Sequence, residues 1–137
     1  MIPEQAHAVL AASEALLLAR PGDCLRLVRG TIRASRLLHG DYQQFLQAVQ
    51  RWLSVELREE EWAQLWLHLA RSGFFAVNGA GSRRHWGPRL EQVSLLYGEG
   101  GIFALGYTPA YDSLIASNFI MQALGKLGRH PSDLDQL

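Results

Sequence analysis

A segment rich in glycine and arginine, from Val77 to Arg89, holds most of the side chains that could do chemistry. Its sequence is VNGAGSRRHWGPR, and no Asp or Glu occurs from Val77 to Leu90. Guanidinium groups bind phosphate or carboxylate oxygens, and an indole ring stacks on a base or a cation. The segment is therefore a candidate for anion, nucleic-acid or protein contact, and the alternative is a solvated loop whose tryptophan packs on the core. The candidate binding residues are Arg83, Arg84, His85, Trp86 and Arg89.

Two nucleotide-binding motifs fail in this segment on named residues. A Walker loop needs a Lys-Ser or Lys-Thr pair after its last glycine, and the sequence contains no such pair. A dinucleotide fingerprint needs a third glycine where Arg84 stands, and then a helix, which Pro88 disfavours. We therefore predict no nucleotide cofactor, and no other feature of the sequence predicts a cofactor.

A second basic feature lies between Leu25 and Gly40, where four arginines recur at intervals of three, four and three residues. On a helix these positions fall within about 80° of arc and form one stripe. The region has no Asp or Glu, and like charges at this spacing repel one another. We expect either an ordinary solvent face or a stripe that meets an acidic surface, for which Glu56 and Glu59–Glu61 are an internal candidate. The stripe consists of Arg26, Arg29, Arg33 and Arg36.

No set of side chains in the sequence predicts catalysis or metal binding. None of the five histidines lies four residues from another, and the single cysteine, Cys24, excludes a zinc site made of cysteines. The nucleophile motif G-x-S-x-G is absent. The spacing of Arg33 and His39 resembles that of HEPN-type ribonucleases, but Ala34 stands where a polar residue commonly follows the arginine. We therefore predict no metal and no enzymatic activity.

Hydrophobic periodicity predicts four helices, the last of which stops at Gly73. The first covers residues 3–20, and Pro21-Gly22 is expected to end it. Asp23 can cap the second helix, which is expected to stop at Gly40.

The third and fourth predicted helices share an aromatic interface. Asp41 can cap the third helix, whose apolar face is expected to extend to Leu57. The glutamates of the acidic cluster begin the fourth helix, where the helix dipole favours anions. Trp52 is expected to pack between the two helices with Trp62 or Trp66.

The periodicity changes after the fourth helix and predicts β-structure. The runs EQVSLLY and GIFALGY favour strands, and the sequence GEGG between them permits a tight turn. They predict a β-hairpin or small antiparallel sheet at about residues 74–107. A last helix is expected from Thr108 or Pro109 to Leu127, with apolar residues on more than one face, so it is buried or pairs with another subunit. The predicted fold is mainly α with this α+β insertion, in a single domain of residues 1–137.

The order of these elements over residues 65–96 resembles the end of a winged-helix domain. In that family a helix enters the DNA major groove, and a basic loop between two strands, the wing, contacts the backbone. The resemblance implies a nucleic-acid-binding regulator that uses Arg83, Arg84 and Arg89. Glu59–Glu61 oppose this function, because they begin the helix that would enter the groove and phosphates repel them. If the wing forms, we therefore expect it to contact a protein rather than DNA.

Composition limits the remaining classes of function. Lys+Arg and Asp+Glu each total 13, and the resulting zero net charge argues against bulk attraction to nucleic acid or a membrane. Residues 6–22 lack the basic start of a signal peptide, no run reaches the roughly 18 apolar residues of a membrane span, and one cysteine favours a reducing cytoplasm. We predict a non-enzymatic, cytoplasmic protein-interaction module, acting as an adaptor, accessory subunit or inhibitor. A protein partner is expected, one candidate being a second copy bound through the C-terminal helix, and a winged-helix-like nucleic-acid-binding regulator is the alternative.

Overall fold

The computed structural model describes residues 10–77 and 83–134, with side chains from residue 86 onward in the second range. These residues form seven α-helices and no β-strand. No helix within these two ranges is both long and apolar enough to span a membrane. The helices are α1 (Glu14–Ala19), α2 (Pro21–Gly40), α3 (Tyr42–Trp52), α4 (Glu59–Arg71), α5 (Arg83–Glu99), α6 (Tyr111–Leu114) and α7 (Ser117–Leu127).

Short polar side chains and a proline begin the N-terminal helices. The Ser13 hydroxyl accepts a hydrogen bond of 3.2 Å from the Leu16 amide at the start of α1. The Asp41 carboxylate does the same for the Gln44 amide, at 3.1 Å, at the start of α3. Pro21 occupies the first position of α2, where its missing N–H removes no intrahelical bond. The predicted cap at Asp41 is therefore confirmed, whereas Pro21-Gly22 begins a helix as well as ending one.

The first predicted helix is shorter than its pattern suggested. Among the described residues of the predicted 3–20, residues 14–19 are helical and residues 10–13 are not; residues 3–9 lie outside the described residues. The third predicted helix also ends early, at Trp52 rather than near Leu57. The fourth agrees with its prediction, running from Glu59 to Arg71 with Gly73 just beyond it at a φ of 75°.

The main core lies between α3, α4 and the segment that follows α4. Phe45, Trp62 and Phe75 form its buried centre. The indole N–H of Trp66 donates a 2.8 Å hydrogen bond to the Leu38 carbonyl. That carbonyl belongs to the last turn of α2, where no intrahelical amide is left to bind it. The half-buried residues packed around this core are Leu38, Tyr42, Leu46, Val49, Trp66, Leu69 and Ala70.

The last helix, α7, packs along α2 and forms the other half of the interior. Ala123 is fully buried, and Ile32 of α2 is 3% exposed. The predicted C-terminal helix is split into α6 and α7, because Ile115 is extended (φ −108°, ψ 108°) and Ala116 is not helical. Its apolar residues therefore do not wrap one continuous helix.

The prediction of a β-hairpin or small antiparallel sheet at residues 74–107 is wrong for the described part of that range. The run EQVSLLY lies in α5, and GIFALGY forms turns. In α5 the residues at 86, 90 and 94 are at least half-buried, a spacing of four that suits one helix face and not a strand. Pro88 is accommodated inside this helix. Because the described residues contain no strands, the predicted winged-helix-like element and the predicted α+β class are wrong as well.

The glycines of GEGG end a helix rather than turn a hairpin. Gly101 has a φ of 72°, in the left-handed region that glycine favours. The Ile102 amide donates to the Tyr97 carbonyl at 2.8 Å, and the Gly100 amide to the Leu96 carbonyl at 2.9 Å. These bonds satisfy carbonyls of the last turn of α5. A helix C-terminus and a tight hairpin both need a glycine with positive φ, so this sequence signal is common to both.

Candidate interaction surface

The arginine stripe on α2 is divided by the fold. Arg26 pairs with Asp23 one turn before it on the same helix, and both side chains are at least partly exposed. Arg29 is half-buried and Arg33 is exposed. Arg36, in contrast, is 8% exposed and lies against the C-terminus of α7. The stripe is therefore not one continuous solvent-facing surface, and Arg26, Arg29 and Arg33 are what remains of it.

Arg36 forms a buried junction between α2 and the residues after α7. Its guanidinium donates to the Gly128 carbonyl at 2.7 Å and to the Leu127 carbonyl at 3.4 Å. It also pairs with the Asp133 carboxylate at 3.3 Å, and the two side chains are 9% and 8% exposed. Arg36 thus supplies positive charge at the negative end of the helix dipole. The stripe does meet an acidic group within its own fold, but that group is Asp133 and not the glutamate cluster.

A serine and a histidine beside this junction lie close together in one turn. The Ser132 hydroxyl is 2.9 Å from Nδ1 of His130, and the Ser132 backbone amide donates to the same atom at 3.2 Å. The Asp133 carboxylate accepts from the His130 backbone amide, not from its ring. Because Ser132 is 6% exposed and its amide occupies the ring nitrogen, the arrangement is a local turn. Burial, with help from Arg36, lowers the pKa of His130 below its ordinary value.

His39 lies beside the same turn, away from Arg33. Its ring is 6.0 Å from the His130 ring and 6.1 Å from the Phe75 ring, and both contacts are edge-on. Arg33 is exposed on α2. Among the described residues, Arg33 and His39 share no hydrogen bond, ion pair or ring contact. Across the described residues, no three His, Cys, Asp or Glu side chains come together as a metal site.

The basic segment of residues 77–89 is helical where the structure describes its second half. Arg83, Arg84 and His85 form the first turn of α5, and their side chains lie outside the described residues. Trp86 and Arg89 are half-buried, and each interacts with the fold. Anion or nucleic-acid contact through these five residues stays a prediction.

An exposed aromatic residue marks a different surface, at the end of α3. Trp52 is 77% exposed, so the prediction that it packs between the third and fourth helices is wrong. Trp62 and Trp66 fill that interface without it. The Arg51 guanidinium lies over one face of the Trp52 indole, 5.4 Å from the ring centroid. Exposed tryptophans are enriched at the energetic centres of protein interfaces.

The residues that follow Trp52 form a non-helical segment, residues 53–58, with the sequence LSVELR. Its backbone is extended at both ends, at Leu53 (φ −108°, ψ 131°) and at Arg58 (φ −66°, ψ 156°). Leu53, Val55 and Leu57 alternate with polar residues, and all three are exposed. Alternation of this kind is typical of a strand with one apolar face. Residues 53–58 pair with no other described segment and are not a β-strand of the structure; because of this alternation and the extended ends we name them the linker strand.

Both ends of the linker strand are anchored to helices. The Leu53 amide donates to the Val49 carbonyl at 2.8 Å. The Arg58 amide donates to the Glu61 carboxylate at 2.8 Å, and the Arg58 guanidinium binds the same carboxylate at 3.2 Å. These bonds from Arg58 hold the pKa of Glu61 below its ordinary value. The linker strand is therefore presented in a defined position, between two fixed points.

Between the anchors the backbone has no partner. Among the described residues, no hydrogen bond is made by the backbone N–H and C=O groups of residues 54–57. The linker strand borders an open groove of ≈ 450 Å³, whose floor includes Trp62. An extended segment with free backbone groups can add to another strand, with alternate side chains giving specificity.

A second exposed apolar region lies after α5. The Tyr97, Phe103 and Tyr107 rings contact one another edge-on, with centroids 5.2 and 5.5 Å apart. Here the backbone is already bonded, since the Ile102 and Phe103 amides both donate to the Tyr97 carbonyl. This region offers apolar side chains but lacks the open backbone of the linker strand.

Sequence reasoning missed the linker strand because its apolar residues also continue the helical pattern of α3. The signal that could have found it is the strict alternation from Leu53 to Leu57, which begins where the helical spacing ends. Comparison of the chain with protein-family models, with curated proteins and with solved structures finds no match. The function proposed below therefore rests on the geometry of this surface.

Proposed function

We propose that the protein is a non-enzymatic protein-interaction module, acting as an adaptor, accessory subunit or inhibitor, and that the linker strand with Trp52 is its docking surface. The observation that carries the proposal is the exposure of a strand-like segment whose backbone groups are unpaired while three apolar side chains face solvent. Natural proteins usually protect such an edge with charge, proline or a covering element. A partner strand would satisfy both the backbone and the apolar side chains.

The balance of buried and exposed apolar residues supports the same proposal. Among the described residues six apolar side chains are buried, whereas twenty-two large apolar side chains are exposed. Single exposed leucines are ordinary on a protein surface, but four exposed apolar side chains within the six residues from Trp52 to Leu57 form a cluster. The single Cys24 suits a reducing compartment, so we place this function in the cytoplasm.

The test is site-specific photo-crosslinking in cells that express the full chain. A benzoylphenylalanine replaces Val55, and the matched control carries it at Gln47, an exposed position on α3 outside the linker strand. We expect protein adducts from position 55, identified by mass spectrometry, and none of comparable yield from position 47. Leu53→Asp is expected to reduce the adducts at least tenfold, because a carboxylate in the apolar face opposes burial. No adducts, or equal adducts from both positions, would refute the proposal.

A further inference from the structure

The linker strand has a sequence that can pair with itself. In an antiparallel pair, the two residues directly opposite each other have numbers with a constant sum. A sum of 110 places Val55 of one copy opposite Val55 of the other and Leu53 opposite Leu57. All three apolar residues then face apolar residues on one side of the two-stranded ribbon.

Other registers lack this match. Within the linker strand, an odd sum places each apolar side chain that has a partner opposite a polar one, because the apolar positions are all odd-numbered and Ser54, Glu56 and Arg58 are even-numbered. A sum of 108 leaves Leu57 without a partner in the linker strand, and a sum of 112 places two Glu56 carboxylates directly opposite each other. Parallel in-register pairing also opposes Glu56 to itself, and like charges directly opposite are destabilising.

The polar residues between the apolar ones also match in the same register. Ser54 lies opposite Glu56 on the other side of the ribbon, so no two carboxylates face each other directly. The resulting contact is two-fold symmetric: where residue i of one copy faces residue j of the other, residue j of the first copy faces residue i of the second, as a closed dimer requires.

From this match we propose that a second copy of the chain is the partner of the linker strand, paired antiparallel with Val55 on the two-fold axis. The inference rests on the proposed function and names its partner. It differs from the dimer through the C-terminal helix, which stays a prediction; α7 packs on α2 within the chain, and its Ala123 is fully buried.

The size of the contact sets its expected strength. The exposed side chains of Trp52, Leu53, Val55 and Leu57 offer on the order of 400 Å² per copy, about half of what each partner buries in a standard interface. A ribbon of two short strands is itself marginal in water. We therefore expect a dimer with a dissociation constant in the micromolar range, populated at high local concentration.

The first experiment tests the two-fold axis with charge. Val55 is the one position that faces itself, so Val55→Lys and Val55→Glu should each become monomeric in sedimentation equilibrium, with association at least tenfold weaker than wild type. Mixing the two variants should restore dimers, because opposite charges then face each other. Val93→Lys, on an exposed residue of α5, is the matched control and should dimerise like wild type.

The second experiment tests the register with cysteines in a Cys24→Ser background. Directly opposite residues lie about 4.5–5.5 Å apart between Cα atoms, within the range that a disulfide spans, whereas diagonal neighbours lie beyond it. Val55→Cys should form a disulfide dimer in a glutathione buffer. Ser54→Cys and Glu56→Cys should crosslink when mixed, and at least tenfold less when each is alone.

Three results would overturn the inference. One is a wild-type chain that stays monomeric into the millimolar range, and another is a dimer that Val55→Lys leaves intact. The third is disulfide formation by Ser54→Cys alone at the rate of the mixture. If photo-crosslinking from position 55 yields adducts with a different protein and none with a second copy, self-pairing fails while the proposed interaction function stands. If position 55 yields no adduct at all, the proposed function fails too.

Discussion

Replacing Arg36 by methionine should be among the most destabilising single changes in the molecule. The substitution keeps a long helix-favouring side chain but removes the guanidinium from Asp133 and from the Gly128 carbonyl. Because both side chains of the ion pair are more than nine-tenths buried, the Asp133 carboxylate would be left in the interior without its positive partner. Breaking a buried pair from one side costs about 3–5 kcal/mol.

That cost is large beside the roughly 5–15 kcal/mol that stabilises an ordinary domain. The assay is urea denaturation followed by tryptophan fluorescence, since Trp62 and Trp66 lie in the core and report its loss. Arg33→Met is the matched control, because Arg33 lies three residues earlier on the same helix and is exposed. We expect the control to change the free energy of unfolding by no more than about 0.5 kcal/mol.

A double variant separates the buried charge from the rest of the junction. Asp133→Asn keeps an acceptor for the His130 amide but removes the negative charge. Arg36→Met combined with Asp133→Asn should therefore cost less than Arg36→Met alone, with a coupling of at least about 1 kcal/mol. A loss for Arg36→Met no greater than that of Arg33→Met, or strict additivity in the double variant, would refute the reasoning.

Three further predictions follow from the packing, each read out by chemical denaturation. Burial lowers the pKa of His130 in the folded chain, so the unfolded chain binds the proton more readily as the pH decreases. The free energy of unfolding should therefore be constant above about pH 6.5 as far as His130 is concerned, and should fall as the pH decreases from there toward the folded-state pKa. The decrease should be smaller for His130→Asn. Trp66→Phe leaves the Leu38 carbonyl without its 2.8 Å donor and should cost about 1–3 kcal/mol. Gly30 lies within α2 with open space where a Cβ would stand, so Gly30→Ala should stabilise the protein by about 0.5–1 kcal/mol. Gly101 has a φ of 72°, so Gly101→Ala should destabilise the protein by about 1–2 kcal/mol. If both substitutions changed the free energy of unfolding in the same direction, this reasoning would be contradicted.

Features of the fold that depend on a few neighbouring residues could be predicted from the sequence. The cap at Asp41 and the acidic start and glycine stop of α4 depend on side chains within one turn of the helix end. Neighbouring residues could not decide in the same way between a β-hairpin and a helix at residues 91–107. EQVSLLY tolerates helix or strand, and the glycines at 100 and 101 suit the end of either element. In the structure, residues 86, 90 and 94 are at least half-buried at a spacing of four, which is one face of a helix.

The candidate sites depended on partners far away in the chain, which periodicity does not show. Arg36 occupies a regular place in the basic stripe, and only the folded position of Asp133 makes it a buried structural residue. Trp52 has the right spacing for the helix interface, but Trp62 and Trp66 fill that space first. The linker strand begins where α3 ends, at Trp52, and the apolar pattern of the sequence does not mark that boundary.

The long chain separation between Arg36 and its carboxylate partner has a consequence for synthesis. The two residues are 97 positions apart, so the ribosome finishes α2 well before Asp133 exists. At about 5–20 residues per second, the Arg36 guanidinium and the face of α2 that packs on α7 stay open for roughly 5–20 s. During that interval the nascent chain displays a cationic, partly apolar helix to whatever surrounds the exit site. Chaperone capture at α2 would thus be concentrated in the time before the final helix emerges.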